Sequence, residues 1–433
     1  MIYVIADDLT GATDTGVQFS TKNYSSSVYI YQKNIKAKVL ANIKVDVLVI
    51  DTETRDADFI TSQKRINNIL NNIKFREDDI IYKKIDSTLR GNIGLEIDLI
   101  MEKLNFDFCL FTSSFPKSSR ITKNGKLIVE NRELGFTDYF EGDLSPEAAS
   151  YISNILTNQS RNKIELLRLE DLRKSSYNLN GFISDFDDQQ KHIIVLDSVT
   201  DNDLKEIVLN SKKIKGKFLF AGSAGLANYI HLINEKEEKN KKVVFKKAEK
   251  LFIVAASRKN ITNLQIEDVK NKFDVFELKI DPDQILKKPN QILEKDISII
   301  KKAMNNFNKF IIRPNPIFST QDKIDKLIED YNINFRELQL EIKKYIGKLI
   351  KNIFKSYSDI DLFLTGGDTA AGICRELGVE NLNIIDELLI GIPLSLAQTK
   401  KYGNLNIVTK AGGFGTKDSI SKIIYKLKER KDI

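Results

Sequence analysis

Met1-Ile2-Tyr3-Val4-Ile5-Ala6-Asp7-Asp8-Leu9-Thr10-Gly11-Ala12-Thr13-Asp14 is the stretch that decides the fold. The apolar run from Met1 to Ala6, stopped by Asp7 and Asp8, reads as a buried first strand. No basic segment precedes it, so the export-signal reading is set aside. A helical pattern from Thr13 to Thr21 follows, and strand-then-helix is the rhythm of a parallel α/β sheet.

The rhythm repeats outward from there. Strands are expected at Val45 to Ile50, Ile80 to Lys84, Phe108 to Thr112, Ile193 to Leu196 and Phe218 to Ala221, with helices at Ile93 to Leu104 and Ala224 to Ile233. Between Arg120 and Tyr139 the pattern breaks into short, Gly-interrupted extended pieces, read as a β-hairpin excursion that serves as a flap or an oligomer contact. Residues Asn234 to Lys250 hold seven Lys and four Glu in seventeen positions, without Gly or Pro, which suits a solvated linker. Alternation restarts at Leu251 to Ala255, Val275 to Leu278, Phe310 to Arg313, Leu362 to Thr365 and Leu405 to Val408, with a long helix from Phe335 to Ser356. The expectation is two α/β domains with mostly parallel sheets, residues 1–233 and 251–433, joined by the linker 234–250 and enclosing an active-site cleft.

Composition narrows the function. The 433 residues are 42% hydrophobic and 29% charged, ample for two buried cores. A formal charge of +7 over that length is too mild to argue for nucleic acid, though it favours small anions. No segment approaches the roughly 20 apolar residues of a membrane span. Two distant cysteines, Cys109 and Cys374, fit a reducing cytoplasm rather than a disulfide scaffold, and His192 and His231 are too few for a histidine metal site.

In open α/β sheets ligands bind beyond the carboxyl ends of strands. Four loops of the first half place polar groups there: Ala6 to Asp14, Asp51 to Asp56 with Arg55, Lys83 to Asn92, and Ser113 to Pro116 with Arg120 beyond. Arginine and lysine clamp a carboxylate, Asp and Ser hold hydroxyls, and a carboxylate can act as general base. That mixture suits a small polyhydroxylated anion. Each Asp or Ser alone reads equally well as a helix cap; four such loops together point to a site. A haloacid-dehalogenase phosphatase needs Asp-x-Asp after strand one, and Thr10 stands where the second Asp belongs.

The second half differs. Thr365-Gly366-Gly367-Asp368-Thr369-Ala370-Ala371-Gly372 and Lys410-Ala411-Gly412-Gly413-Phe414-Gly415-Thr416-Lys417-Asp418 each end a strand and open a helix. Glycine turns there let backbone N–H groups approach phosphate oxygens, and Ser257 stands at a comparable strand end. Neither the Walker pattern nor G-x-G-x-x-G is present. Gly222-Ser223-Ala224-Gly225-Leu226-Ala227 reads either as a phosphate contact or as close helix–strand packing.

Taken in order, Ile5 to Asp14, Lys84-Ile85-Asp86-Ser87-Thr88-Leu89-Arg90-Gly91-Asn92, Gly222 to Ala227, Thr365 to Ala370 and Thr409 to Gly415 resemble the four-carbon acid sugar kinases. The likeness spans residues 3 to 418. It implies an N-terminal sugar-acid domain, a C-terminal nucleotide domain, and transfer of the ATP γ-phosphoryl group to the 4-hydroxyl of D-threonate, D-erythronate or a 3-oxo-tetronate. Asp14-Thr15-Gly16-Val17-Gln18 is closer to the threonate and erythronate kinases. Two stretches depart from the family: Phe115 to Arg120 lacks its usual glycine before Arg, and Ser257-Arg258 stands where many members have Ser-x-Ser.

Carried over by motif, the resemblance implies a substrate pocket of Asp8, Arg55, Lys84, Asp86, Ser87 and Arg90. Asp86, Asp8 and Arg90 would be catalytic. ATP would lie on Ser257, Gly366, Gly367, Asp368, Thr369, Gly412 and Gly413, with Mg²⁺ on Asp368. A cytoplasmic enzyme acting on a small sugar acid is expected, forming a homodimer through the hairpin and engaging neither nucleic acid nor membrane. The alternatives are a 3-oxo-tetronate 4-kinase and a sensor that binds sugar acid and nucleotide without turnover.

Overall fold

The computed structural model describes residues 1–32, 40, 43–140, 142–174, 179–184, 186, 190–233, 246–257, 259–316 and 320–430. It divides into two compact units, Met1–Asn240 and Lys241–Ile433. Most of the expected linker, 234–245, lies outside the described residues, and Lys250 already opens the first strand of the second unit.

The first unit is built on eight parallel strands: β1 (Ile2–Ala6), β2 (Ser26–Ile30), β3 (Val47–Asp51), β4 (Ile80–Lys84), β5 (Phe108–Thr112), β9 (Lys163–Leu167), β10 (His192–Leu196) and β11 (Phe218–Gly222). Their order across the sheet is β2-β3-β1-β4-β11-β5-β10-β9. The apolar runs Val47 to Ile50, Cys109 to Phe111 and Ile193 to Leu196 are buried, as strands covered by helices on both faces require. From β1 the chain runs outward to β2, whereas from β4, its neighbour on the other side, it proceeds toward β5. That reversal makes the β1/β4 pair a switch point, where the loops diverge and leave room for a ligand.

Between β5 and β9 lies a separate antiparallel sheet: β6 (Arg120–Lys123), β7 (Lys126–Val129) and β8 (Arg132–Glu133). Both of its two-residue turns, Asn124-Gly125 and Glu130-Asn131, have positive φ at both positions, the turn geometry that matches strand twist. The expected hairpin is therefore a three-stranded meander. Strands β2 and β9 were not anticipated; Ser26 and Ser27 in β2 and Lys163 and Glu165 in β9 dilute their apolar signal.

The second unit has strands β12 (Lys250–Ala255), β13 (Phe276–Ile280), β14 (Lys309–Pro314), β15 (Ile360–Thr365), β16 (Asn381–Leu389), β17 (Ile392–Thr399) and β18 (Gly403–Lys410), ordered β13-β14-β12-β15-β18-β17-β16. The first five in that order are parallel; β17 and β16 run antiparallel to their neighbours. β16 and β17 also escaped the sequence reading, because Asp386 and Glu387 interrupt the first and Ser395 the second. Ile253, Phe363, Ile311 and Val408 build the core under helices Asn260–Lys272 and Ser419–Glu429. Among the described residues no helix is long and apolar enough to cross a membrane.

Candidate active site

In the first unit the polar residues gather at the carboxyl ends of β1, β3 and β4. Asp8 has extended backbone and caps the helix Leu9–Ser20, its Oδ1 accepting from the Gly11 N–H at 2.9 Å and its Oδ2 from the Thr10 hydroxyl at 2.5 Å. It is a cap and an ion-pair partner at once, since Arg55 Nη2 lies 2.6 Å from its Oδ1. Arg55 also grips Asp7 with two hydrogen bonds of 2.8 Å and stands 3.7 Å from Asp86. Arg90 holds Asp86 bidentately at 2.9 Å, and the Thr88 hydroxyl donates to the same carboxylate at 2.5 Å.

Burial alone would raise the pKa of Asp86, but the Arg90 and Arg55 guanidiniums override it and hold the carboxyl well below the usual range. Asp7 is likewise lowered: burial opposes ionisation, and Arg55 with Lys83 more than offsets it. The same carboxylates push Arg55 well above its ordinary value. Asp7 and Asp86 are therefore held as fixed negative charges of the cluster.

Lys84 stands apart. It is 3% exposed, its Nζ donates to the Ile85 carbonyl at 2.7 Å, and it forms no ion pair among the described residues. A Cβ placed at position 11 would sit 2.9 Å from Lys84 Nζ, 2.7 Å from Asp8 Oδ1 and 3.5 Å from Arg55 Nη2. Glycine at 11 thus leaves the gap in which these three groups converge. Lys83, one residue earlier, points to the opposite face and forms a buried pair with Glu96 at 2.6 Å. Ser87 is half-buried in the same turn, and its hydroxyl makes no hydrogen bond among the described residues.

The fourth loop has another role. Thr112, Ser114, Thr122 and Ser198 hydrogen-bond among themselves in full burial. A Cβ at Gly225 would lie 2.4 Å from the Ser114 carbonyl, and one at Gly222 2.7 Å from the Thr112 carbonyl. The Gly222–Ala227 stretch is therefore close helix–strand packing, the second of its two readings. Arg120 is engaged within its meander by the Ser118 carbonyl and by Glu130 at 3.7 Å.

In the second unit β12, β15 and β18 lie side by side with Ala255, Thr365 and Lys410 in register. Their three loops start at one level. Ser257 meets the last loop so closely that a Cβ on Gly412 would be 2.2 Å from its Oγ. Gly366 takes φ +100°, donates to the Lys410 carbonyl at 2.9 Å, and opens the helix Gly367–Glu376, whose first turn holds Gly367, Asp368 and Thr369. Arg258 lies outside the described residues.

The Lys410 side chain is fully buried under its own loop and donates to the carbonyls of Ala411 at 2.9 Å, Phe414 at 3.2 Å and Gly412 at 3.3 Å. Thr262 and Gln265 hold the Gly412 and Phe414 carbonyls from the other side, at 2.9 and 3.0 Å. The carbonyls are thus occupied, whereas the N–H groups of Gly412 and Gly413 donate to nothing among the described residues. The carbonyls of this loop are tied inward, and these two N–H groups are left open. Burial lowers the Lys410 pKa to about 7. Neither Asp7 nor Lys410 has a role legible in the sequence; for Lys410 the signal is a lysine closing an apolar strand.

Asp368, expected at a metal, is paired with Lys343. The described residues hold no group of three or more His, Cys, Asp or Glu that could by itself bind a metal ion.

Fold and sites together define a protein that collects acid–guanidinium pairs in one α/β unit and glycine turns at strand-to-helix junctions in another. A family described as sugar-binding N-terminal domain matches residues 2–230, and one described as nucleotide-binding C-terminal domain matches residues 252–420. The chain is 27% identical to the D-threonate kinase of Salmonella typhimurium, over 98% of each chain. It is 24% identical to the D-erythronate kinase of Heliobacterium modesticaldum, over 96% of this chain and 95% of that one. It is also 24% identical to a 3-oxo-tetronate kinase of Haemophilus influenzae, over 96% and 98%. The chain belongs to the four-carbon acid sugar kinase family. Among solved structures, a protein titled a putative tRNA synthase from Salmonella typhimurium matches with TM-score 0.78, 18% identity and 99% of both chains covered. A Haemophilus influenzae protein matches with TM-score 0.70 and 22% identity, covering 98% of this chain and all of that one. Both show the fold.

Proposed function

We propose that the chain is an ATP-dependent kinase that phosphorylates the 4-hydroxyl of a four-carbon sugar acid, D-threonate or D-erythronate. The observation that carries this reading is Lys84: a buried ammonium with unused donors, beside Arg55 and Asp8, in a unit whose other cluster cations are already neutralised. A substrate carboxylate takes these unused donors in charge-assisted hydrogen bonds. Asp8, Asp86 and Ser87 accept from or donate to the sugar hydroxyls. With its pKa held down, Asp86 is a weak base and acts by orienting the 4-hydroxyl. Such a role suits a loose phosphoryl transfer, which depends mainly on positioning.

Nucleotide phosphates take the open N–H groups of Gly412 and Gly413, the helix start at Gly367 to Thr369, and Ser257. Mg²⁺ fits as a companion of those phosphates, since it is commonly held by one or two carboxylates plus phosphate oxygens. Asp368 would hold it, exchanging its Lys343 partner, and the ion would neutralise phosphate charge. In the transfer, O4 bonds to the γ-phosphorus, the bond to the β,γ-bridging oxygen breaks, ADP leaves with that electron pair, and the O4 proton is released to solvent as the new bond forms. The sequence relatives named for threonate and erythronate kinases support this choice of acid.

Coupled ADP production with Mg-ATP tests the reading, using D-threonate, D-erythronate, their L-isomers and 3-oxo-tetronates. Turnover on D-threonate or D-erythronate is expected. Turnover confined to a 3-oxo-tetronate would replace the substrate, and ATP binding without turnover on any acid would favour a sensor.

A further inference from the structure

Asn92 stands at the N-cap of the helix Ile93–Leu104, yet its side chain does not cap it. An asparagine there ordinarily accepts from the second or third N–H of its helix. Here that duty falls to Gln159, whose Oε1 accepts from the Gly94 N–H at 3.0 Å. Gln159 lies just past the helix Ile152–Thr157, in the stretch between the antiparallel meander and β9. The same amide donates from Nε2 to the Gly91 carbonyl at 3.1 Å. Its backbone comes so close that a Cβ on Gly94 would lie 2.8 Å from the Gln159 carbonyl carbon.

Relieved of capping, Asn92 turns to the loop after β3. Its Nδ2 donates to the Thr54 carbonyl at 3.0 Å and the Ala57 carbonyl at 2.9 Å, and stands 3.1 Å from Ser62 Oγ. Two carbonyl acceptors fix that atom as the nitrogen. Thr54 and Ala57 bracket Arg55 in the chain. At the same place the two loops meet backbone to backbone, since a Cβ on Gly91 would lie 3.3 Å from Arg55 Cα. Both loops also bend through the left-handed region, Glu53 at φ +51° and Leu89 at φ +61°. Non-glycine residues persist there only where surrounding contacts over-determine them. Resting on the reading of the chain as a sugar-acid kinase, we propose that Asn92 and Gln159 are positioning residues for Arg55. They brace the backbone on both sides of it against the Arg90 turn, so that its guanidinium is held on Asp7 and Asp8 beside the gap at Gly11. The stretch between the meander and β9 thereby supports the sugar-acid site.

The deciding variant is Asn92→Asp. Aspartate caps a helix as well as asparagine does, so a residue that only started the helix would tolerate the change. An ionised aspartate cannot donate to the Thr54 and Ala57 carbonyls. Steady-state kinetics with Mg-ATP and the acid that the wild type turns over should show KM for the acid raised about tenfold or more, with KM for ATP unchanged. Gln159→Glu keeps the acceptor for the Gly94 N–H and loses the donor to the Gly91 carbonyl, so it should show the same split to a smaller extent. A wild-type KM for the acid in Asn92→Asp would overturn the brace and leave the kinase reading in place. So would a parallel rise of both KM values with a lowered thermal midpoint, the mark of a general folding defect. If Asn92→Asp does not fold, Gln159→Glu decides alone, and an unaltered KM for the acid in it overturns the proposal. Wild-type protein that neither turns over nor binds any of the acids in calorimetry would overturn the brace and the kinase reading together.

Discussion

Arg55 meets Asp7 through two parallel hydrogen bonds, Nε to Oδ2 and Nη2 to Oδ1, each 2.8 Å long. The pair locks the loop after β3 onto the loop after β1, reinforced by the Thr54 and Arg55 N–H groups donating to the Asp7 carbonyl at 2.9 and 3.2 Å. Arg55→Lys removes the planar fork and can satisfy only one carboxylate at a time. Arg55→Met strips buried Asp7 of its only hydrogen-bonded cation among the described residues, leaving Lys83 and Lys84 nearby, at a cost of up to about 3–5 kcal/mol. Urea unfolding should rank wild type above Lys above Met; equal midpoints for all three would show that the pair is not structural.

The same cluster sets the acid limit of the protein. Asp7 and Asp86 are both lowered from an ordinary value of 3.8, so the unfolded chain takes up their protons first as pH falls. Their stabilisation is complete above that ordinary value and is lost as pH drops below it toward the folded values. Asp86→Asn should flatten the fall in stability below about pH 4, and chemical unfolding across that range reads it. An unchanged slope would remove Asp86 from the acid transition.

Two adjacent lysines should fail in opposite ways. Lys83→Met leaves Glu96 as a buried, unpaired carboxylate, costing about 3–5 kcal/mol of stability. Lys84→Met breaks no ion pair among the described residues, so it should cost clearly less stability than Lys83→Met while KM for the sugar acid rises about tenfold or more. Unfolding scans beside steady-state kinetics separate the two. A Lys84 variant with normal KM would take the substrate carboxylate elsewhere.

Lys410 makes stability depend on alkaline rather than acid pH. Its pKa falls from 10.5 to about 7 in the folded chain, so between those values the unfolded state binds a proton that the folded state lacks. Stability should therefore rise with pH across that window, and be insensitive to this group below it. Lys410→Met should abolish the rise. Nucleotide phosphate above the loop favours the charged form, so ATP binding near neutral pH should take up a proton. Titrations in buffers of different ionisation enthalpy would detect that uptake; its absence would disconnect Lys410 from the nucleotide.

Gly412→Ala should damage nucleotide binding selectively. The added Cβ would lie 2.2 Å from Ser257 Oγ and 2.8 Å from its Cβ, forcing the two loops apart. ATP affinity should fall about tenfold or more, with the sugar acid still bound by the unaltered first unit. Calorimetry with each ligand separately checks this. Full ATP affinity in the variant would mean that these loops do not hold the phosphates.

Much was legible in the residue order. Strands β1, β4, β5, β12 and β15 announced themselves as apolar runs closed by polar loops, because strands covered on both faces must be apolar throughout. Strands β2, β9, β16 and β17 carry Ser, Lys, Asp or Glu at the positions where a core pattern would show, and their assignment rests on neighbours rather than on themselves. The cavity beside Ser257 and Thr369 was hidden for a similar reason. Phe335, Leu338 and Ile342 follow ordinary helical spacing, and nothing in that spacing says that they border a space instead of filling one.

By itself, then, the sequence determined the alternation of strands and helices, the parallel character of the sheets, and which loops carry charge and which carry glycine. These follow from local rules: burial periodicity, caps and turn chemistry. Only the tertiary structure decided how each charge is used. Asp7 and Arg55 lie 48 positions apart, yet share two hydrogen bonds. Lys83 and Lys84 are neighbours, yet one pairs with Glu96 and the other faces the gap at Gly11 beside Asp8 and Arg55. The physical reason is that a charge in a buried place takes its meaning from whatever the sheet brings within a few ångströms of it. Strand register and loop crossing set that, through contacts no local pattern encodes.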